Sequence, residues 1–122
     1  MSAIPGFGVA LLKRAMDLAN KAYSGKKVFG NSLVKYSMSN KKHHPNYFVV
    51  DEPDTLFVVV RGSGSDADWQ TNFDYHEKTV KFGKYSIYCH GGFYQSAKNI
   101  FDEVKSTVLE KGANKKIIVT GH

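Results

Sequence analysis

An α/β fold is predicted from three features of the chain: a hairpin of two strongly apolar strands, a long amphipathic helix after it, and a short apolar strand at the end. The hairpin strands are Tyr47–Asp51 and Thr55–Val60, rich in β-branched and aromatic residues and separated by Glu52-Pro53-Asp54. The second strand is apolar on both faces, which predicts an interior place in a sheet covered on both sides. The helix spans 93–111, where Phe93, Ala97, Ile100, Phe101, Val104 and Val108 share one face and Gly112 ends it. The closing strand, Ile117–Val119, is expected to be short and buried.

The other elements follow in order. Residues 8–24 read as an amphipathic helix with Val9, Leu12, Met16, Ala19 and Tyr23 on the apolar face. Lys13, Asp17, Asn20 and Lys21 take the other face, and Ser24-Gly25 is the stop. Residues 26–46 are polar, with a short strand near Leu33–Met38 and a turn at His43-His44-Pro45-Asn46, because Pro45 biases His44 away from helix. Arg61-Gly62-Ser63-Gly64-Ser65 is a polar loop, and 79–89 a further extended segment ending in Tyr85-Ser86-Ile87-Tyr88. No repeat or low-complexity linker interrupts the chain, so residues 1–122 are expected to form one domain.

Composition excludes several function classes. No stretch approaches the roughly 18 apolar residues of a membrane span. The N-terminus lacks a charged start followed by an apolar block, so a cytoplasmic location is expected. Net charge is +6, unevenly spread: residues 1–50 carry eight Lys/Arg against one acid, Asp17. That basic half is a candidate surface for an anionic membrane. Its lysines are dispersed, however, and a solvated basic face is the simpler reading. No nucleic-acid-binding signature accompanies them, so no nucleic-acid partner is expected. Cys89 stands alone, which rules out an internal disulfide and reads as a structural thiol. His43, His44, His76 and His90 lack metal-ligand spacing, and Gly62-Ser63-Gly64 lacks the Gly-Lys-Ser/Thr of a phosphate loop. Neither metal nor cofactor is expected.

Three segments carry a resemblance. "LFVVVRGSGSDADWQTNF", "CHGGFYQSA" and "KKIIVTGH" occur in that order. Together they resemble the class 3 lipases, the fungal-type triacylglycerol lipase family of α/β-hydrolases. In that family a buried strand ends in Arg-Gly-Ser or Arg-Gly-Thr, a Trp follows, and a His-x-Gly-Phe segment opens a helix. The next strand runs into Thr-Gly-His-Ser-Leu-Gly-Gly. The resemblance covers residues 47–122, while 1–46 match only as an N-terminal helix and lead-in. It implies an incomplete α/β-hydrolase fold, the N-terminal half of the sheet with flanking helices. Gly121 and His122 then take the first two positions of the Gly-x-Ser-x-Gly nucleophile elbow. His122 is the "x" and not the triad base, since its ring cannot ordinarily fold back onto a neighbouring serine oxygen.

By the same resemblance Ser63 supplies one N–H of the oxyanion hole; from the residues alone a turn serine is the better reading. Gly64, Ser65 and Trp69 occupy the place of the lid or substrate-binding segment. That segment offers only Ala67 and Trp69 as apolar residues and carries Asp66 and Asp68, a departure from a lid that responds to lipid interfaces. Trp69 either lines the acyl groove or anchors the loop in the core, and Asp68 is a candidate helix cap. Arg61 is expected to pair with a carboxylate, and His90 to bond loop to helix. Asp74 and His76 are read as a surface turn. The function implied is the N-terminal portion of a serine hydrolase acting on a lipid ester substrate, triacylglycerol or another acylglycerol. Its triad Ser, Asp and His fall beyond His122, leaving this stretch inactive by itself. The competing reading is a short lipid- or protein-binding module of the same fold. Either way the last strand is expected to leave an open edge that invites aggregation or dimerisation.

Overall fold

The structure, a computed structural model, describes residues 8–39, 41–62, 66–73 and 75–122. Helix α1 (Val9–Lys21) passes through two 3₁₀ turns, Ala22–Ser24 and Lys26–Ser32, into β1 (Leu33–Ser37). Strands β2 (Tyr47–Asp51) and β3 (Thr55–Val60) follow, then α2 (Asp66–Phe73), β4 (Glu77–Phe82) and β5 (Tyr85–His90). The chain closes with α3 (Gly91–Lys111) and β6 (Lys116–Gly121). The main sheet has the order β1-β2-β3-β6, while β4 and β5 form a separate two-stranded sheet. β1, β2 and β3 pair antiparallel, and β6 joins β3 in parallel, from Thr55↔Lys116 to Val60↔Gly121. The fold is thus α/β, with β3 interior as its two apolar faces predict.

Side-chain alternation along the strands divides the core in two. Phe48, Val50, Phe57 and Val59 pack with Ala15, Leu18, Ala22 and Phe29 on the α1 side. Tyr47, Val49 and Leu56 pack with Val104, and with half-buried Ile100 and Val108, on the α3 side. Each fully buried Leu or Phe side chain in these layers contributes about 2–3 kcal/mol. Charged pairs fix the ends of the elements. Arg14 meets Glu52 at 2.5 Å and Asp17 at 3.0 Å. Lys115 pairs with Asp51, and Lys116 N–H donates to the Asp54 carbonyl at 3.1 Å, which sets where β6 begins.

The structure corrects four expectations. The buried stripe of α1 is Leu11, Ala15, Leu18 and Ala22 with Ala19, whereas Val9, Leu12, Met16 and Tyr23 are exposed. Alanines let the helix axis approach the sheet, and Thr120 Oγ1 donates to the Ala15 carbonyl at 3.0 Å on that face. The extended segment at 79–89 is a two-stranded hairpin, reversed at Gly83-Lys84, where Gly83 takes φ +58. Asp68 lies inside α2 and does not cap it, since the helix begins at Asp66. β6 has the open edge expected of it among the described residues, but it is not buried: Val119 is 72% exposed.

Tyr47 offers a test of the α3-side layer. Burial, with the Glu103 carboxylate beside it, pushes the Tyr47 hydroxyl up to about 12. An acid whose folded pKa is raised contributes stability that is complete below its unfolded pKa, about 10, and is lost as pH rises through the folded value. Stability is therefore expected to fall by on the order of 1 kcal/mol between pH 10 and 12, solvent screening reducing the full effect of the shift. In Tyr47→Phe that part of the fall disappears. Urea titrations of both proteins across this window measure it, and identical pH slopes would refute the assignment.

Candidate functional site

Because β3 and β6 are parallel and end in register, the chain emerges from both at the same rim of the sheet. After Val60 comes Arg61-Gly62; after Gly121 comes His122. A Cβ placed on Gly62 would overlap both the His122 carbonyl oxygen and the Tyr23 hydroxyl. The two strand ends thus touch at a position where a side chain larger than hydrogen has no room. The Tyr23 hydroxyl and His122 Nδ1 share a hydrogen bond of 2.9 Å, with the rings edge to face at 5.9 Å. Tyr23 was legible only as part of an apolar helix face, and no spacing in the sequence links it to His122, 99 residues on.

Arg61 is held from the opposite side. Its Nη2 donates to Asp68 Oδ2 at 2.9 Å, and the two side chains are only 16% and 10% exposed. Its backbone N–H donates to the Asn46 carbonyl at 2.9 Å. This is the carboxylate partner expected for Arg61, and it ties the exit of β3 to α2. Arg61 Nε is buried with no hydrogen-bond partner among the described residues.

The His90 segment does the structural work expected of it. Nδ1 accepts from Phe93 N–H at 3.1 Å, capping α3, and Nε2 donates to the Asn72 carbonyl at 3.1 Å. The His43 loop closes over the same region. His43 N–H donates to Thr71 Oγ1 at 3.0 Å, His43 Nδ1 donates to the Gly92 carbonyl at 3.2 Å, and Asn99 Nδ2 donates to the His43 carbonyl at 2.8 Å. Nothing in the sequence marked His43 for this role.

A groove of about 840 Å³ runs from this rim along the open face of β3 and β6. Val58, Val60, Ile117 and Val119 form its floor, Phe101 and Val108 of α3 one wall, and Gly62 and His122 its head. Ser96 also lines it, with Oγ buried and without a hydrogen-bond partner among the described residues. From α2 the lining takes Asp68, Thr71 and Asn72 and, among the described residues, not Trp69. Trp69 is 53% exposed, against Phe73 at 6.4 Å between ring centroids, so it does not anchor a loop in the core.

Of the residues predicted from sequence, His122 sits at the head of the groove, Gly121 ends β6 just before it, and Trp69 lies outside the groove. Ser63, Gly64 and Ser65 fall outside the described residues, as does Asp74. Among the described residues no cluster of His, Cys, Asp and Glu has the arrangement of a metal site, and no helix is long and apolar enough to cross a membrane.

Comparison with known proteins adds the following. The family profile described as "Lipase (class 3)" matches residues 57–122, more than half of the chain. The chain is 34% identical over 76 residues to "Phospholipase A1 PLIP2, chloroplastic" of Arabidopsis thaliana, covering 59% of this chain and 10% of that protein. It is 34% identical over 82 residues to "Phospholipase A1 PLIP1, chloroplastic" of the same plant, covering 62% of this chain and 12% of that protein. The chain therefore spans about a tenth of the length of these curated relatives.

Proposed function

Because the chain belongs to the class 3 lipase family, we propose that it is the stretch leading to the nucleophile in a serine hydrolase acting on acyl esters of glycerolipids. In this reading the residue after His122 is the nucleophilic serine, which attacks the acyl carbonyl carbon. The negative charge that develops on the carbonyl oxygen is taken by the N–H of Ser63, together with the N–H following the serine. A histidine and an aspartate from later residues complete the triad, the histidine carrying the serine proton to the leaving alcohol. The names of the two relatives favour phospholipids over triacylglycerol as the substrate class.

The observation that carries this reading is the contact of Gly62 with His122 at the rim shared by β3 and β6. An oxyanion hole needs donors about 2.7–3.1 Å from the reacting oxygen, so Ser63 and the serine must be brought to one spot by different strands. Parallel pairing in register supports this by bringing Gly62 and His122, the residues that precede those two positions, into contact. The apolar groove beside β6 supports the same reading, since a helix following the serine has an apolar bed ready beside α3.

The test uses two proteins: residues 1–122, and a polypeptide continuing through the coding sequence beyond His122. The longer one is expected to react with a fluorophosphonate probe and to release fatty acid from phosphatidylcholine vesicles, and the shorter one to do neither. Ser63→Pro in the longer protein removes the amide hydrogen and should lower kcat on the order of 10²–10³-fold with probe labelling still detectable. A longer protein that lacks Ser after His122, or that keeps full kcat with proline at 63, would overturn the proposal.

A further inference from the structure

The β4–β5 hairpin is the part of the molecule that the hydrolase reading does not use. It forms a sheet of its own, and two-stranded hairpins are marginal unless another surface covers a face. Its cross-strand pairs Val80↔Ile87 and Phe82↔Tyr85 fall on one face. Phe82 is 62%, Tyr85 66% and Ile87 45% exposed. At its root the hairpin is tied down: Gly91 N–H donates to the His76 carbonyl at 2.8 Å, and Lys78 Nζ lies 5.6 Å from the Tyr94 ring centroid on α3. The apolar tip beyond that root faces solvent.

The charge around the tip says what covers it. Lys81 lies on β4 near the tip and Lys84 in the turn, and Glu77 is the single carboxylate in residues 77–90. Lys84 Nζ lies 5.5 Å from the Tyr85 ring centroid at the turn. Aromatic rings with an apolar body and polar edge settle at the headgroup level of a bilayer, and lysines extend from there to anionic phosphates. We propose that the β4–β5 hairpin is an anchor for anionic phospholipid surfaces, inserting Phe82, Tyr85 and Ile87 among headgroups while Lys81 and Lys84 pair with lipid phosphate. This places membrane contact on the hairpin and not on the basic N-terminal half, where Arg14 and Lys21 are already engaged with Glu52 and Asp17. Vesicle binding needs no turnover, so the hairpin anchor and the hydrolase reading stand or fall separately.

Residues 1–122 are mixed with vesicles of phosphatidylcholine alone or with 30% phosphatidylserine, at low and high salt, and sedimented. Binding is expected only with phosphatidylserine, weakening as salt rises. Lys81→Gln with Lys84→Gln should reduce it about 25-fold, at roughly fivefold per lysine. Phe82→Ser with Tyr85→Ser should reduce it at least about tenfold. Lys26→Gln with Lys27→Gln should change it less than about twofold. Should the hairpin variants misfold, amide exchange on the parent decides: amides of residues 78–88 slow when anionic vesicles are added. The proposal is overturned by absent vesicle binding, by hairpin variants that fold and bind as the parent does, or by residues 78–88 already protected in solution, which would mean protein covers the face.

Discussion

Asp68→Ala is expected to lower stability by about 3–5 kcal/mol, the cost of leaving one member of a buried ion pair without the other. The Arg61 and Asp68 side chains are 16% and 10% exposed and meet at 2.9 Å, so little water can replace the lost carboxylate. Arg61 Nε is already buried without a partner among the described residues, which makes the guanidinium less able to absorb a further loss. The position adds a functional effect. Arg61 is the first residue after β3 and the second before Ser63, so its anchor on α2 fixes the direction in which the chain leaves the sheet. Asp68→Asn keeps the shape and a hydrogen-bond acceptor and should cost less than Asp68→Ala. Arg61→Met combined with Asp68→Leu should recover much of the loss, since two apolar groups of similar volume often match a buried pair. Thermal and urea unfolding of the four proteins measures this. A loss below about 1 kcal/mol for Asp68→Ala would place the pair with ordinary surface salt bridges and remove it from the architecture of the site.

The parts of the fold legible in the sequence were those whose residues answer to one dominant force. β2 and β3 were readable to the residue because their apolar β-branched runs suit only a doubly covered sheet. Helix α3 was readable because Ile100, Val104 and Val108 repeat at helical spacing and Gly112 stops it. The β4–β5 hairpin was read as one strand for the opposite reason. Residues 77–88 are exposed or half-exposed, no buried face imposes a two-residue rhythm, and the reversal at Gly83-Lys84 has only one glycine to announce it. The buried face of α1 was misread because hydrophobicity favours Val9, Leu12 and Met16 over Ala15 and Ala22. Close packing against a sheet favours the small residues instead. At the site, the motif residues Gly121 and His122 were legible through the family pattern. Tyr23 and His43 were not, because their roles depend on contacts with His122 and Gly92 that only tertiary structure brings about.

Phe57→Ala is expected to cost about 3–5 kcal/mol, a large share of the 5–15 kcal/mol that holds a typical domain together. Phe57 is fully buried on the interior strand β3, in the layer with Phe48 and Leu18 under α1. The alanines of α1 are already in close contact with the sheet, so the helix has little freedom to settle into the vacated volume, and the cavity term stays large. The opposite face is not closed in the same way. Val119 of β6, which lines the groove on the α3 side, is 72% exposed, and Val119→Ala should change the stability of residues 1–122 by less than about 0.5 kcal/mol. If a helix following His122 lies in that groove, the same Val119→Ala change in a longer polypeptide removes a buried side chain and costs about 1–3 kcal/mol, while the cost of Phe57→Ala stays the same. Denaturant unfolding of the two variants in both proteins separates the faces. An equal, small effect of Val119→Ala in both would show that nothing covers the groove, and would remove the apolar bed as support for a helix beside the nucleophile.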